Sequence, residues 1–200
     1  MAHNPLLVRI TACTATGNLF ASMSFALLVL FALRDLGLSE ATLGLAFSAG
    51  SLGGLLGAVS ATRLTRWAGE GSVIPVSAVG FSAAGFVLPF AGQPVPALPA
   101  LVVSSFLGSF FVVVYNVTQV SFRQRLCPRV LLGRMNASVR FVVFGTMPLG
   151  AFTGGVLAEQ VGVRTTLWVA AVGGATAVLP VLLSPLTGMR KLPSALDVHV

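Results

Sequence analysis

The sequence predicts an all-α integral membrane protein, a bundle of six transmembrane helices. Three observations carry that prediction. Hydrophobic residues make up 56% of the chain and charged residues only 8%, where a soluble domain carries roughly a quarter. Six apolar runs each reach about the 20 residues needed to cross a bilayer. These runs are continuous rather than alternating, which excludes a transmembrane barrel and leaves helices to satisfy the backbone in hydrocarbon.

The first helix is expected over Leu6–Leu33, ended by Arg34-Asp35-Leu36-Gly37, with Gly37 as the terminating residue. Ser39 then reads as an N-cap and Glu40 as the acidic first-turn residue of a second helix over Ala41–Thr62. A short polar loop is expected over Arg63–Gly71 (RLTRWAGEG), followed by a third helix over Ser72–Ala91. The turn GQPVPALP separates it from a fourth helix over Ala97–Ser121. The longest polar stretch follows, Phe122–Arg134 (FRQRLCPRVLLGR). The fifth helix is expected over Asn136–Ala158, kinked near Pro148. EQVGVR forms a tight turn into a sixth helix over Thr165–Leu183, with Pro180 near its end. Residues 1–186 thus form one transmembrane domain and 187–200 a cytoplasmic tail.

Basic residues orient the bundle. With the amino terminus in the cytoplasm, the inner side holds Arg9, Arg63, Arg66, Arg123, Arg125, Arg129, Arg134, Arg190 and Lys191. The outer side holds only Arg34 and Arg164. That bias follows the positive-inside rule and puts both termini in the cytoplasm. The net charge of +7 therefore sets topology and does not mark a nucleic-acid surface, for which a basic groove with interleaved aromatics is lacking. Cys13 and Cys127 suggest neither a disulfide framework nor a metal cluster. The first apolar run is too long for the core of a cleavable signal peptide.

Small residues mark close helix contacts. Gly53 and Gly57 in the second helix, and Gly150 and Gly154 in the fifth, form small-xxx-small patterns. Each pair sits on the middle helix of a three-helix group, where a 3+3 inverted repeat places matching residues.

Catalysis finds little support. Gly50-Ser51-Leu52-Gly53 has a superficial likeness to the serine motif of rhomboid-type membrane proteases, but His3 and His199 lie at the chain ends, where neither serves as a base for Ser51. Zinc-protease and phosphate-binding motifs are missing from the sequence. Asp35, Glu40, Glu70, Glu159 and Asp197 all fall at helix ends, in loops or in the tail. No enzyme and no cofactor is expected. Polar residues within the spans are the better guide. Thr11, Thr14, Asn18 and Ser22 share one face of the first helix, Tyr115, Asn116 and Gln119 cluster in the fourth, and Arg140 opens the fifth. These are candidates either for lining a substrate cavity or for interhelical hydrogen bonding. Arg140 equally suits snorkelling to the interface.

From Tyr115 to Val169 the chain resembles the tenth to twelfth helices of the major facilitator superfamily, most clearly at PRVLLGRMNAS (Pro128–Ser138) and PLGAFTGG (Pro148–Gly155). ALRDLGLSEATLGLAFSAGSLGGLLGA resembles the hairpin of the seventh and eighth helices, and RLTRWAGEG sits where that superfamily keeps a basic loop, though without the aspartate of the fuller motif. The branch it looks like is that of drug, macrolide and enterobactin exporters. The resemblance implies half of that fold, helices seven to twelve, beginning at the linker-like His3-Asn4-Pro5-Leu6-Leu7. It implies efflux of small amphipathic organic molecules by a proton-coupled exporter. The proton-carrying carboxylate would then belong to a separate amino-terminal six-helix half or a second copy acting as partner. Eleven arginines against one lysine suggest a bacterial inner membrane as the location. A six-helix permease subunit or membrane scaffold is the other reading. It requires a docking feature, for which only the short Phe122–Arg134 stretch is available.

Overall fold

A computed structural model describes residues 5–126 and 131–183. His3, Cys127, Arg129, Arg190, Lys191 and the expected tail at 187–200 lie outside the described residues. The described chain is helical: α1 (Pro5–Leu30), α2 (Glu40–Ala68), α3 (Glu70–Val87), α4 (Ala97–Leu126), α5 (Leu132–Val161), α6 (Val163–Thr176) and the short α7 (Leu179–Leu182). A π-helical turn over Phe31–Asp35 extends α1, and a 3-10 turn over Leu88–Phe90 extends α3. Six helical segments are long and apolar enough to cross a membrane, the last running from Val163 to Leu182. Apolar side chains such as Leu45, Leu55, Phe141 and Phe152 stand more than half exposed on the bundle surface, as lipid-facing residues do.

The local signals at the first hairpin act as their chemistry dictates. Gly37 takes φ 62°, a value only glycine adopts freely. The Ser39 hydroxyl accepts the Thr42 N–H at 3.3 Å, and Glu40 lies in the positive first turn of α2.

At two polar stretches the helices run further than the sequence expectation. Arg63–Ala68 continues α2, and the expected loop shrinks to Gly69 alone. Phe122–Leu126 continues α4, and α5 starts at Leu132. Arginine, leucine and threonine side chains do not break a helix. Their polarity marks where the helix leaves hydrocarbon, not where it stops. Trp67, 84% exposed, fits such a boundary. The sixth span is shorter as a continuous helix than expected: Thr176 ends α6, and α7 carries Pro180 in its first turn. Helix α5 runs unbroken through Pro148.

Packing repeats itself. Helix α2 packs chiefly on α4 and α5 on α1, while α3 packs on α4 and α6 on α1. Exchanging α1–α3 with α4–α6 maps each pairing onto another. Three crossings per group make the second group enter from the opposite side, so the repeat is inverted. Glycine contacts obey the same exchange. Gly53 and Gly57 lie against Phe106 and Phe110 of α4, and Gly150 and Gly154 against Leu19 and Met23 of α1. A Cβ at Gly57 would fall 2.6 Å from the Phe110 carbonyl oxygen, and one at Gly154 2.8 Å from Met23 Cγ. Gly69 (φ 78°, ψ 154°) and Gly162 (φ 88°, ψ 156°), the residues joining the second and third helices of each group, share one backbone conformation.

Two apolar clusters close the ends. Ile10, Cys13, Ile74, Tyr115, Phe122 and Val181 belong to one, built at the amino-terminal ends of α1 and α3 and the carboxy-terminal ends of α4 and α6–α7. Leu27, Phe31, Leu43, Leu88, Leu101 and Leu167 belong to the other, at the opposite helix ends. Arg164 reinforces the second cluster: its guanidinium stacks 5.2 Å from the Phe31 ring centroid and donates to the Pro89 carbonyl at 2.9 Å. At the first end, Arg125 pairs with Glu70 and ties α4 to the start of α3.

Candidate functional site

Between the two apolar ends lies a cavity of about 1210 Å³. All six long helices reach it: α1 from Gly17 to Leu28, α2 from Phe47 to Gly54, α3 from Phe81 to its carboxy-terminal end, α4 from Ser104 to Val113, α5 from Phe144 to Ala151, and α6 from Ala170 to Gly174. A smaller cavity of about 90 Å³ adjoins it toward the Cys13 cluster. Gly17, Asn18, Ala21, Phe81, Val112 and Gly174 line both.

The polar stripe of α1 meets α4 beside these spaces. Thr14 Oγ1 donates to the Ile10 carbonyl at 2.8 Å. Its single proton being used there, it accepts from the Tyr115 hydroxyl at 2.9 Å. Asn18 Nδ2 donates to the Thr14 carbonyl at 2.9 Å, which leaves Asn18 Oδ1 turned to accept. Thr14, Asn18, Tyr115 and Asn116 line the small cavity, and Asn18 and Ser22 the large one. The two readings of the stripe therefore divide along its length. Thr14 and Tyr115 hold two helices together, and Asn18 and Ser22 face space.

Gln119 and Arg140 line neither cavity. Arg140 is exposed on α5. Gln119 is buried one turn beyond Tyr115, with Nε2 donating to Asn116 Oδ1 at a long 3.4 Å. Gln119 Oε1 has no partner among the described residues, nor do Thr11 Oγ1 and Arg123 Nε and Nη1. Arg123, read from sequence as a loop residue, is 6% exposed on the same face of α4 as Tyr115 and Gln119. The four-residue spacing of Tyr115, Gln119 and Arg123 carries that information, but the fall in hydropathy from Phe122 onward hides it.

Sequence reading also missed most of the hydroxyl groups of the large cavity. Ser24 of α1, Ser82 of α3, and Ser105 and Ser109 of α4 join Ser22 there. Ser51, discounted as a nucleophile, lines it too but donates to the Phe47 carbonyl at 3.1 Å, and Ser104 donates to the Ala84 carbonyl at 2.9 Å. Phe20, Phe25, Phe47, Phe81 and Phe144 add aromatic surface to the same lining. Ser105 and Ser109 alternate with the close contacts at Phe106 and Phe110, so one stretch of α4 packs on α2 by backbone and shows hydroxyls to the cavity. The pattern was in the sequence, but serines in a membrane helix are as often packing residues.

A large cavity within a membrane-spanning bundle, lined by two inverted helix groups, is the form of a transport protein. Over residues 10–195 the sequence matches the family description Major Facilitator Superfamily. No individually curated protein was found to match it. With that match covering nearly the whole length, and with six spans paired as two groups of three, the chain belongs to the Major Facilitator Superfamily, a family of membrane transporters.

Proposed function

We propose that this chain forms the carboxy-terminal six-helix half of an exporter of small amphipathic organic molecules. The observation that carries the reading is the cavity of about 1210 Å³ within the bundle. It is as large as or larger than sites that enclose drug-sized ligands. Its phenyl rings suit a hydrocarbon frame, and its serines and Asn18 suit scattered polar groups. The exporter-like motifs PRVLLGRMNAS and PLGAFTGG support the direction of transport. All four described acidic residues lie outside this cavity. Coupling to protons then draws on a carboxylate in a second six-helix half, and alternating access on that half as the second rocking body. The location that fits the arginine distribution is a bacterial inner membrane, with both termini in the cytoplasm.

The test is an efflux measurement in cells lacking their own exporters. This chain is expressed alone and with an amino-terminal six-helix half, and accumulation of a fluorescent amphiphile is followed. Accumulation falls only when both halves are present, and a protonophore restores it. Equal accumulation in every combination refutes the proposal.

A further inference from the structure

The charge inventory of the cavity narrows its ligand. Among the described residues, no aspartate, glutamate, lysine, arginine or histidine lines the large space or the small one. The nearest buried cation on α4, Arg123, lies two helical turns beyond the Tyr115–Thr14 pair, within the apolar end of the bundle. The acids Asp35, Glu40, Glu70 and Glu159 are at helix ends. What the cavity does hold is neutral. Ser22, Ser24, Ser82, Ser105 and Ser109 bring hydroxyls to its lining, and a hydroxyl can both donate one hydrogen bond and accept others. Asn18 adds an amide oxygen that can accept. The remainder is phenyl, glycine and alanine surface.

An ion drawn from water into such a place loses its hydration and finds no opposite charge. A neutral hydroxyl, ether or carbonyl group loses less and finds a serine in return. We infer that this site takes an uncharged, oxygen-rich amphiphile: a hydrocarbon frame carrying several hydroxyl, ether or carbonyl groups and no fixed charge. The inference rests on reading the cavity as the substrate site and adds the class of substrate. A charged end, where a ligand has one, must project beyond this half.

Three probes on one skeleton test it: an uncharged polyhydroxylated macrolactone, the same molecule bearing a quaternary ammonium, and the same bearing a sulfonate. Binding of each radiolabelled probe is measured on the full chain in nanodiscs. The neutral probe binds most tightly, and both charged probes bind weaker by about tenfold or more. In Ser22→Asp, and separately in Ser82→Asp, the ammonium probe gains on the neutral one, because a carboxylate now faces it. Charged probes that bind as tightly as the neutral one overturn the inference, as does failure of all three to bind. Export assays separate this from the function proposed above. Efflux of the ammonium probe as fast as the neutral one sinks the substrate class and leaves the exporter standing, whereas neutral-selective binding without efflux does the reverse.

Discussion

Replacing Gly57 by alanine tests whether backbone contact between α2 and α4 holds the bundle together. The added Cβ would fall 2.6 Å from the Phe110 carbonyl oxygen and 3.3 Å from its carbonyl carbon. Close carbon–oxygen contacts settle near 3.3 Å, so the helices must part by roughly 0.7 Å. The obstacle is main chain within a helix and cannot swing aside. Overpacking of this kind costs about 1–3 kcal/mol, and parting the helices also thins every other contact along the seam. Alanine's better helix propensity returns roughly 0.5–1 kcal/mol. Gly54 supplies the control, since its Cβ would meet Val113 Cγ2 at 3.7 Å and Ser109 Cβ at 3.9 Å, both ordinary van der Waals contacts. Alanine there keeps the propensity gain and meets no obstacle. The gap between Gly57→Ala and Gly54→Ala should therefore be about 2 kcal/mol or more. Unfolding in mixed micelles with rising SDS, followed by fluorescence of Trp67 and Trp168, measures it. Gly154→Ala on α5 should cost less than Gly57→Ala, because its nearest obstacle is the flexible Met23 side chain. Equal stability of the Gly57 and Gly54 variants would refute the reasoning.

Four further predictions use the same assay. A double-mutant cycle of Thr14→Val and Tyr115→Phe should give a coupling near 0.6 kcal/mol and no more than about 1.7 kcal/mol; zero coupling removes the hydrogen bond from the account of how α1 meets α4. Arg123→Met should leave stability unchanged or raise it by about 1 kcal/mol or more, since it deletes a buried charge with no described counter-charge; a large loss would mean that the guanidinium is paired in the native protein. Gly69→Ala and Gly162→Ala should each cost about 1–3 kcal/mol, because their φ and ψ are nearly closed to other residues; a neutral outcome at both means these joints relax freely. Glu70→Gln should cost under about 1 kcal/mol and abolish any salt dependence of that increment, because Arg125 stands 58% exposed; a larger, salt-independent loss indicates a shielded pair.

Sequence alone made the six spans legible because hydrocarbon imposes one demand, a long apolar helix, on every segment that crosses it. It also made the paired glycines legible, since Gly53, Gly57, Gly150 and Gly154 fill matching roles at the seams of both helix groups. Helix ends were less visible. A drop in hydropathy at Arg63 or Phe122 reports the membrane surface, and the chain stays helical for about another turn or more because nothing in RLTRWA or FRQRL stops it. The polar stripe left cavity lining and helix contact open in sequence, and the structure puts Asn18 and Ser22 along the large cavity and bonds Thr14 to Tyr115. Gln119 and Arg140 were not separable from them by spacing, because periodicity gives a face and not the neighbour opposite that face. Ser82, Ser105 and Ser109 were overlooked for the same reason: only the path of the other helices shows which hydroxyls are left uncovered.

The elbows at Gly69 and Gly162 limit how this bundle can move. One residue of chain supplies about 3.6 Å of slack at most, less than the 5.4 Å pitch of a single helical turn. Neither α3 nor α6 can ratchet by a turn along the membrane normal past the helix before it without unwinding. Each hairpin must travel as a stiff V, and whatever opens the bundle to one side of the membrane has to come from the tilt of one V against the other and against α1 and α4.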